Sequence, residues 1–167
     1  IKNVSGVLRA LRTGREAGLD LRLEVIGDGP DMSALRSTAM DLGLNGNVRW
    51  LGRISNAEVL DHMAGTGTVI VNSNVETFSV VTGEALAMGK PVIATRCGGP
   101  QGFITPENGV LVDPGDDRAL AAAMIARAKE EHPYEAAAIR HTVNERFSPA
   151  AVGASFVDIY QRVLGHG

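Results

Sequence analysis

Apolar positions along the chain switch repeatedly between a helical spacing of three and four residues and short, nearly continuous runs. Val4, Val7, Leu8 and Leu11 predict an amphipathic helix over residues 3–17, closed by Gly18. The run LRLEVI at 21–26 reads as a strand, and Gly27-Asp28-Gly29-Pro30 turns it into a helix with Pro30 at its first position and Leu35 and Ala39 facing inward. Gly43 and Asn45-Gly46-Asn47 stop that helix before a strand at 48–51. Gly52-Arg53-Ile54 leaves this strand, and Ser55 with Glu58 has the spacing of a capping box for a helix reaching Met63. An apolar strand at 68–71 follows, then a helix from Phe78 or Ser79 to Gly89 and a strand at 91–95. Beyond Gly98-Gly99-Pro100 the pattern predicts a short segment near Phe103-Ile104 and a strand at 109–112. An alanine-rich helix at 117–130 and helices at 134–146 and 149–164 complete it, the last capped by Ser148.

Strands alternating with helices predict an α/β fold, a Rossmann-like parallel sheet with helices on both faces. With 167 residues and no internal repeat, the count is one domain.

The stretch from Asn72 to Gly99 carries the candidate chemistry. On its helix, Val81, Glu84, Ala85 and Met88 share one stripe, which predicts a half-buried carboxylate in need of a donor. Glu76 lies in the loop at the carboxyl end of a strand, where open α/β sheets place ligands. The free amides of Phe78, Ser79 and Val80 at a helix start attract anions. One small volume thus offers two acceptors for hydroxyls and donors for a phosphate. Gly83, inside the helix, suggests close approach of another backbone or a ligand.

Glu76-Thr77-Phe78-Ser79 through Glu84-Ala85-Leu86-Ala87-Met88-Gly89-Lys90-Pro91-Val92-Ile93-Ala94-Thr95, with Gly98-Gly99 after it and VIGDGP and RWLGRIS before it, resembles the E-x7-E signature of retaining glycosyltransferases of the GT-B fold, family four. The resemblance covers nearly the whole chain as the C-terminal, donor-binding half of that fold. It implies that Glu84 binds the ribose hydroxyls of a nucleoside-diphosphate sugar and Glu76 the sugar being transferred. Thr77 belongs to the same loop, and the amides of Phe78, Ser79 and Val80 meet the diphosphate or a sugar hydroxyl. Lys2 neutralises the leaving diphosphate, so the catalytic candidates are Glu76 and Lys2. Gly52, Arg53 and Ile54 meet the base through their main chain, while Gly27 and Asp28 line the cleft.

Each assignment has a plainer competitor. Glu84 could cap a neighbouring loop, Glu76 could be a charge favoured by a helix dipole, and Lys2 could be a solvated terminal lysine. Asp28 could cap the helix beside Pro30, and Arg53 could be an ordinary surface arginine. Two positions depart from the family: many relatives have Gly where this chain has Ser79, and Gln101-Gly102 stands where an acid is expected.

Composition narrows the partners. A net charge of -3 with scattered signs argues against a nucleic-acid platform, and no apolar run approaches the roughly 20 residues of a membrane span. The single cysteine, Cys97, excludes an internal disulfide; it and Trp50 read as structural. His62, His132, His141 and His166 lack metal-ligand spacing and read as surface or packing residues; no metal and no cofactor beyond the sugar donor is expected. The chain opens at Ile1 directly into a helical pattern, so it is read as part of a longer protein whose N-terminal domain binds the acceptor glycan, lipid or small molecule. The expected location is the cytoplasm, peripheral attachment at the inner membrane being open to the full-length protein. Three other readings compete. A dinucleotide-binding domain built on Gly27-Asp28-Gly29 lacks the third glycine; a non-catalytic module of the same fold and a nucleotide-sugar epimerase stay open.

Overall fold

The computed structural model describes residues 2–131 and 133–165. In order, the elements are α1 Val4–Glu16, β1 Leu23–Ile26, α2 Met32–Asp41, β2 Val48–Gly52, α3 Asn56–Gly65, β3 Val69–Val71 and α4 Val80–Ala87. They continue with β4 Val92–Thr95, a 3-10 turn Gly99–Gly102, β5 Gly109–Val112, α5 Asp117–Ala128, α6 Ala136–Phe147 and α7 Pro149–Leu164. Every strand pairing is parallel, with β1 beside β2 and β4 between β3 and β5.

Strand β4 shows why both faces are covered. All four of its residues are buried, and successive side chains of a strand point to opposite faces. Ile93 therefore joins Val7, Leu8, Leu11, Leu120 and Ala121 from α1 and α5, whereas Val92 and Ala94 join Ala85, Leu86 and Ile139 from α4 and α6. Leu8, Leu11, Leu86 and Ile139 are wholly buried, each such side chain contributing about 1.5–3 kcal/mol. Ser55 and Glu58 form the expected capping box of α3, and the Ser55 hydroxyl and amide hold the Glu58 carboxyl below its ordinary range.

The structure moves several boundaries. Helix α2 starts at Met32, not Pro30, because Asp28 accepts from the Gly29 amide at 2.8 Å and Met32 N–H bonds the Gly29 carbonyl at 3.1 Å, spending these residues on a turn. Helix α6 starts at Ala136, not Tyr134; the Tyr134 ring lies under the Arg127 guanidinium at 5.1 Å instead. The segment expected near Phe103-Ile104 is the 3-10 turn Gly99–Gly102, whose Pro100 carbonyl accepts from both the Phe103 and Ile104 amides. The sheet is not one continuous ladder: the facing edges of β1 and β3 are separated by a cleft of about 610 Å³ lined by Leu23, Val69, Ile70 and Met124, among others. Helix α7 forms as expected, with Phe156, Ile159, Tyr160 and Val163 more than half exposed. Among the described residues no helix is long and apolar enough to cross a membrane.

Candidate functional site

Because the strands within each sheet are parallel, the carboxyl ends of β1 and β2 share one edge, as do those of β3, β4 and β5, and the loops leaving them carry most of the residues singled out from sequence. Gly27 follows β1 and Gly52 ends β2; both have positive φ, and the Gly27 amide donates to the Gly52 carbonyl at 2.8 Å. That bond locks the first two loops together. Ile54 is half-buried, while Asp28 and Arg53 are exposed.

The loops after β3 and β4 are joined more tightly. Glu76 forms an isolated parallel bridge with Gly98: its amide donates to the Cys97 carbonyl at 3.0 Å, and its carbonyl accepts from Gly99 N–H at 2.7 Å. A Cβ on Gly98 would strike the Glu76 carbonyl oxygen, and one on Gly99 the Phe78 carbonyl, so the Gly-Gly pair is required by backbone approach. Gln101, standing where an acid was expected, turns its Oε1 onto the Gly98 amide at 3.0 Å and braces this loop.

The Glu76 carboxylate is fixed from two sides. Its Oε1 accepts from Lys2 Nζ and from Ser73 Oγ, the latter at 2.7 Å, and its side chain is only 14% exposed. The Lys2 hydrogen bond holds its carboxyl below the ordinary glutamate value; burial opposes this and Ser73 adds to it. The two catalytic candidates, 74 residues apart in sequence, form an ion pair in which Lys2 is exposed and Glu76 is not.

Helix α4 starts at Val80, one or two residues later than expected, because Ser79 is left-handed (φ 68°, ψ 64°) and reverses the chain there. Glycine takes this conformation without a steric penalty, which gives a physical meaning to the expectation of Gly at this position. The Ser79 hydroxyl bonds Thr82 Oγ1 at 2.8 Å, and both are buried. Among the described residues the amides of Phe78, Ser79 and Val80 have no protein acceptor, which leaves a positive helix end beside Glu76. The Phe78 ring packs edge-on to Phe103 at 5.1 Å, and Thr77 is exposed.

Three expectations need correction. Glu84 is exposed, not half-buried, and has no donor among the described residues; Thr82, Ala85 and Leu86 are the buried face of α4, which leaves position 84 at its solvent side. It is therefore not a loop cap either. Gly83 approaches no neighbouring backbone: a Cβ there would meet the Phe103 ring at 3.2 Å, so an aromatic side chain explains it. Asp28 is not a helix cap, since Asp31 occupies the cap position of α2 and Asp28 bonds only Gly29. Arg53 has no partner among the described residues. Of the histidines, His62 bonds Glu24 at 2.8 Å and His141 pairs with Glu145 at 3.0 Å, while His132 and His166 lie outside the described residues.

Sequence reading missed Asn72, Ser73 and Thr95, which are buried and support Glu76 and Lys2. The one signal available was a pair of small polar residues directly after an apolar strand.

The sequence model described as Glycosyl transferases group 1 matches residues 1–142. The chain belongs to that family. It is 33% identical over 165 residues to the lipopolysaccharide core biosynthesis glycosyltransferase LpsD of Rhizobium meliloti, covering 96% of this chain and 46% of that protein. It is 30% identical over 149 residues to the N-acetyl-alpha-D-glucosaminyl L-malate synthase of Bacillus anthracis, covering 87% of this chain and 39% of that protein. The chain thus spans less than half the length of these relatives. Among solved structures, the lipopolysaccharide outer core galactosyltransferase WaaB superposes with a TM-score of 0.82 at 24% identity, over 99% of this chain and 46% of that one. Anabaena HepE in complex with UDP superposes at 0.80 with 24% identity, over 96% of this chain and 45% of that one. The fold is that of GT-B glycosyltransferases.

Proposed function

We propose that this chain is the donor-binding half of a retaining glycosyltransferase that moves a sugar from a nucleoside-diphosphate sugar to an acceptor hydroxyl. The observation that carries the reading is the Lys2–Glu76 ion pair beside the unpaired amides that open α4. An anion entering there meets the helix start and a lysine; a sugar meets a carboxylate already ionised and oriented. Glu84, exposed and without a protein donor, takes the ribose hydroxyls, and the tied loops at Gly27, Asp28, Gly52, Arg53 and Ile54 hold the base.

In this reading, Lys2 and the amides of Phe78, Ser79 and Val80 stabilise negative charge as the glycosidic bond to the diphosphate breaks. Glu76 fixes the sugar while the acceptor hydroxyl attacks the same face. The diphosphate accepts the hydroxyl's proton, and attack on the face it leaves retains the configuration. No metal or further cofactor takes part, and the acceptor, a glycan, lipid or small molecule, is supplied by an N-terminal domain. The whole protein works in the cytoplasm.

A second reading, a non-catalytic nucleotide-binding module of the same fold, is favoured by one observation. Gln101 is committed to Gly98, so the position where an acid was expected faces the protein. Saturation-transfer NMR of this chain with UDP, GDP, ADP and NAD, followed by product analysis with nucleotide-sugar donors, separates the readings. Binding of a nucleoside diphosphate with transfer in the longer protein supports the first; binding without transfer supports the second. A donor epimer as product would make it an epimerase, and no nucleotide binding at all would sink all three. Glu76→Ala is expected to cost turnover more than nucleotide affinity; equal loss of both would reduce Glu76 to a loop-shaping residue.

A further inference from the structure

Helix α1 and strand β3 meet through a polar seam that neither the fold nor the ligand reading requires. Asn72, 6% exposed, donates from Nδ2 to the Asn3 carbonyl at 3.0 Å, one residue from Lys2. A Cβ on Gly6 would sit 2.8 Å from Asn72 Nδ2 and 2.8 Å from Asn3 Nδ2, so the first turn of α1 can come this close only because position 6 has no side chain. Ser73, 1% exposed, uses both of its polar ends: its hydroxyl donates to Glu76 Oε1 at 2.7 Å, and its carbonyl accepts from Thr95 Oγ1. Thr95 is itself buried at the end of β4.

We propose that Ser73 is a positioning residue that sets the direction of the Glu76 carboxylate, with Asn72 beside it holding the segment that carries Lys2. The claim rests on the functional reading above for what Glu76 then does, but not for how it is held. A buried hydroxyl is costly to leave in an apolar strand end unless it is bonded, and here its partner is the one carboxylate that the loop presents. Without it Glu76 keeps, among the described residues, Lys2 as its only side-chain donor, and Lys2 is a flexible, 64% exposed chain that does not fix an angle. Thr95 acts one step further back: it pins the Ser73 carbonyl, and therefore the rotation of the backbone that carries the hydroxyl.

The test uses the whole chain with Glu76 observed by carboxyl 13C NMR. In Ser73→Ala the titration midpoint of Glu76 is expected to rise, because a donor to its charged form is gone. Thr95→Val, which keeps the shape of the buried site, is expected to move it in the same direction. Asn74→Ala, at an exposed neighbouring position, should leave it in place. In the longer protein Ser73→Ala should lower kcat about tenfold while donor KM changes less than about twofold. A conservative Ser73→Thr should restore most of that loss. A midpoint that stays put in both Ser73→Ala and Thr95→Val overturns the proposal, and so does a loss that falls on KM alone. If the midpoint moves but the parent protein binds no nucleotide, the sugar-nucleotide reading falls while the positioning of Glu76 by Ser73 stands.

Discussion

Gly99 donates its amide to the carbonyl of Glu76 at 2.7 Å, so the loop that carries the acid is laced to the loop after the next strand by main chain alone. The aim of Glu76 therefore depends on how closely two backbones can approach. Gly98 and Gly99 are the positions that permit it, since any Cβ there falls on the Glu76 or Phe78 carbonyl.

Gly99→Ala is expected to push the 72–79 loop outward. Overpacking of this kind costs about 1–3 kcal/mol, read by urea denaturation. The same variant should lose the Glu76–Gly98 bridge, seen as faster hydrogen exchange at the Gly99 and Glu76 amides. Unchanged stability and exchange would show that the loops are not coupled.

Ser79 permits a cleaner separation of two effects. Ser79→Gly and Ser79→Ala both lose the hydrogen bond to Thr82, but only alanine keeps a Cβ at φ 68°. The glycine variant should be the more stable of the two by about 1 kcal/mol in denaturation, the usual cost of a left-handed residue. Equal stabilities would mean that the backbone at position 79 relaxes freely.

Glu84 is exposed and has no partner among the described residues, so Glu84→Gln should leave the melting temperature unchanged. Calorimetry should show weaker nucleotide binding by about 1.5–3 kcal/mol, the range for a hydrogen bond to a charged group. Unaltered affinity would remove its ribose role.

Glu76 also ties stability to pH. Its folded-state pKa is depressed, chiefly by Lys2, so its contribution is present above the ordinary glutamate value of about 4.5 and lost as pH falls through the lower folded value. The stability gap between the parent protein and Lys2→Met should be widest at neutral pH and close below about 4.5. A gap independent of pH would place the stabilising effect of Lys2 elsewhere.

The aromatic contacts behind the loop give a stability prediction of their own. Phe103 is 5% exposed, stacks on Phe147 at 4.8 Å and meets Phe78 at 5.1 Å. Phe103→Ala should cost about 3–5 kcal/mol by thermal or chemical denaturation. Because Phe78 loses its neighbour, the amides opening α4 should also broaden in NMR spectra.

What the chain reveals by itself is local. Apolar periodicity locates the helices and strands, Ser55 with Glu58 announces its cap three residues apart, and the E-x7-E run marks the strand end whose loop carries Glu76. These signals survive because they depend on neighbours within a turn or a strand. The left-handed Ser79, the exposure of Glu84 and the reason for Gly83 depend on what lies across the fold, and a single helical stripe misplaced the second of them. The support of Glu76 by Ser73, of Ser73 by Thr95 and of the Lys2 segment by Asn72 joins residues separated by up to 69 positions. Only the packing of α1 and the parallel strands brings those groups together, because hydrogen bonds between distant residues have no periodicity to betray them.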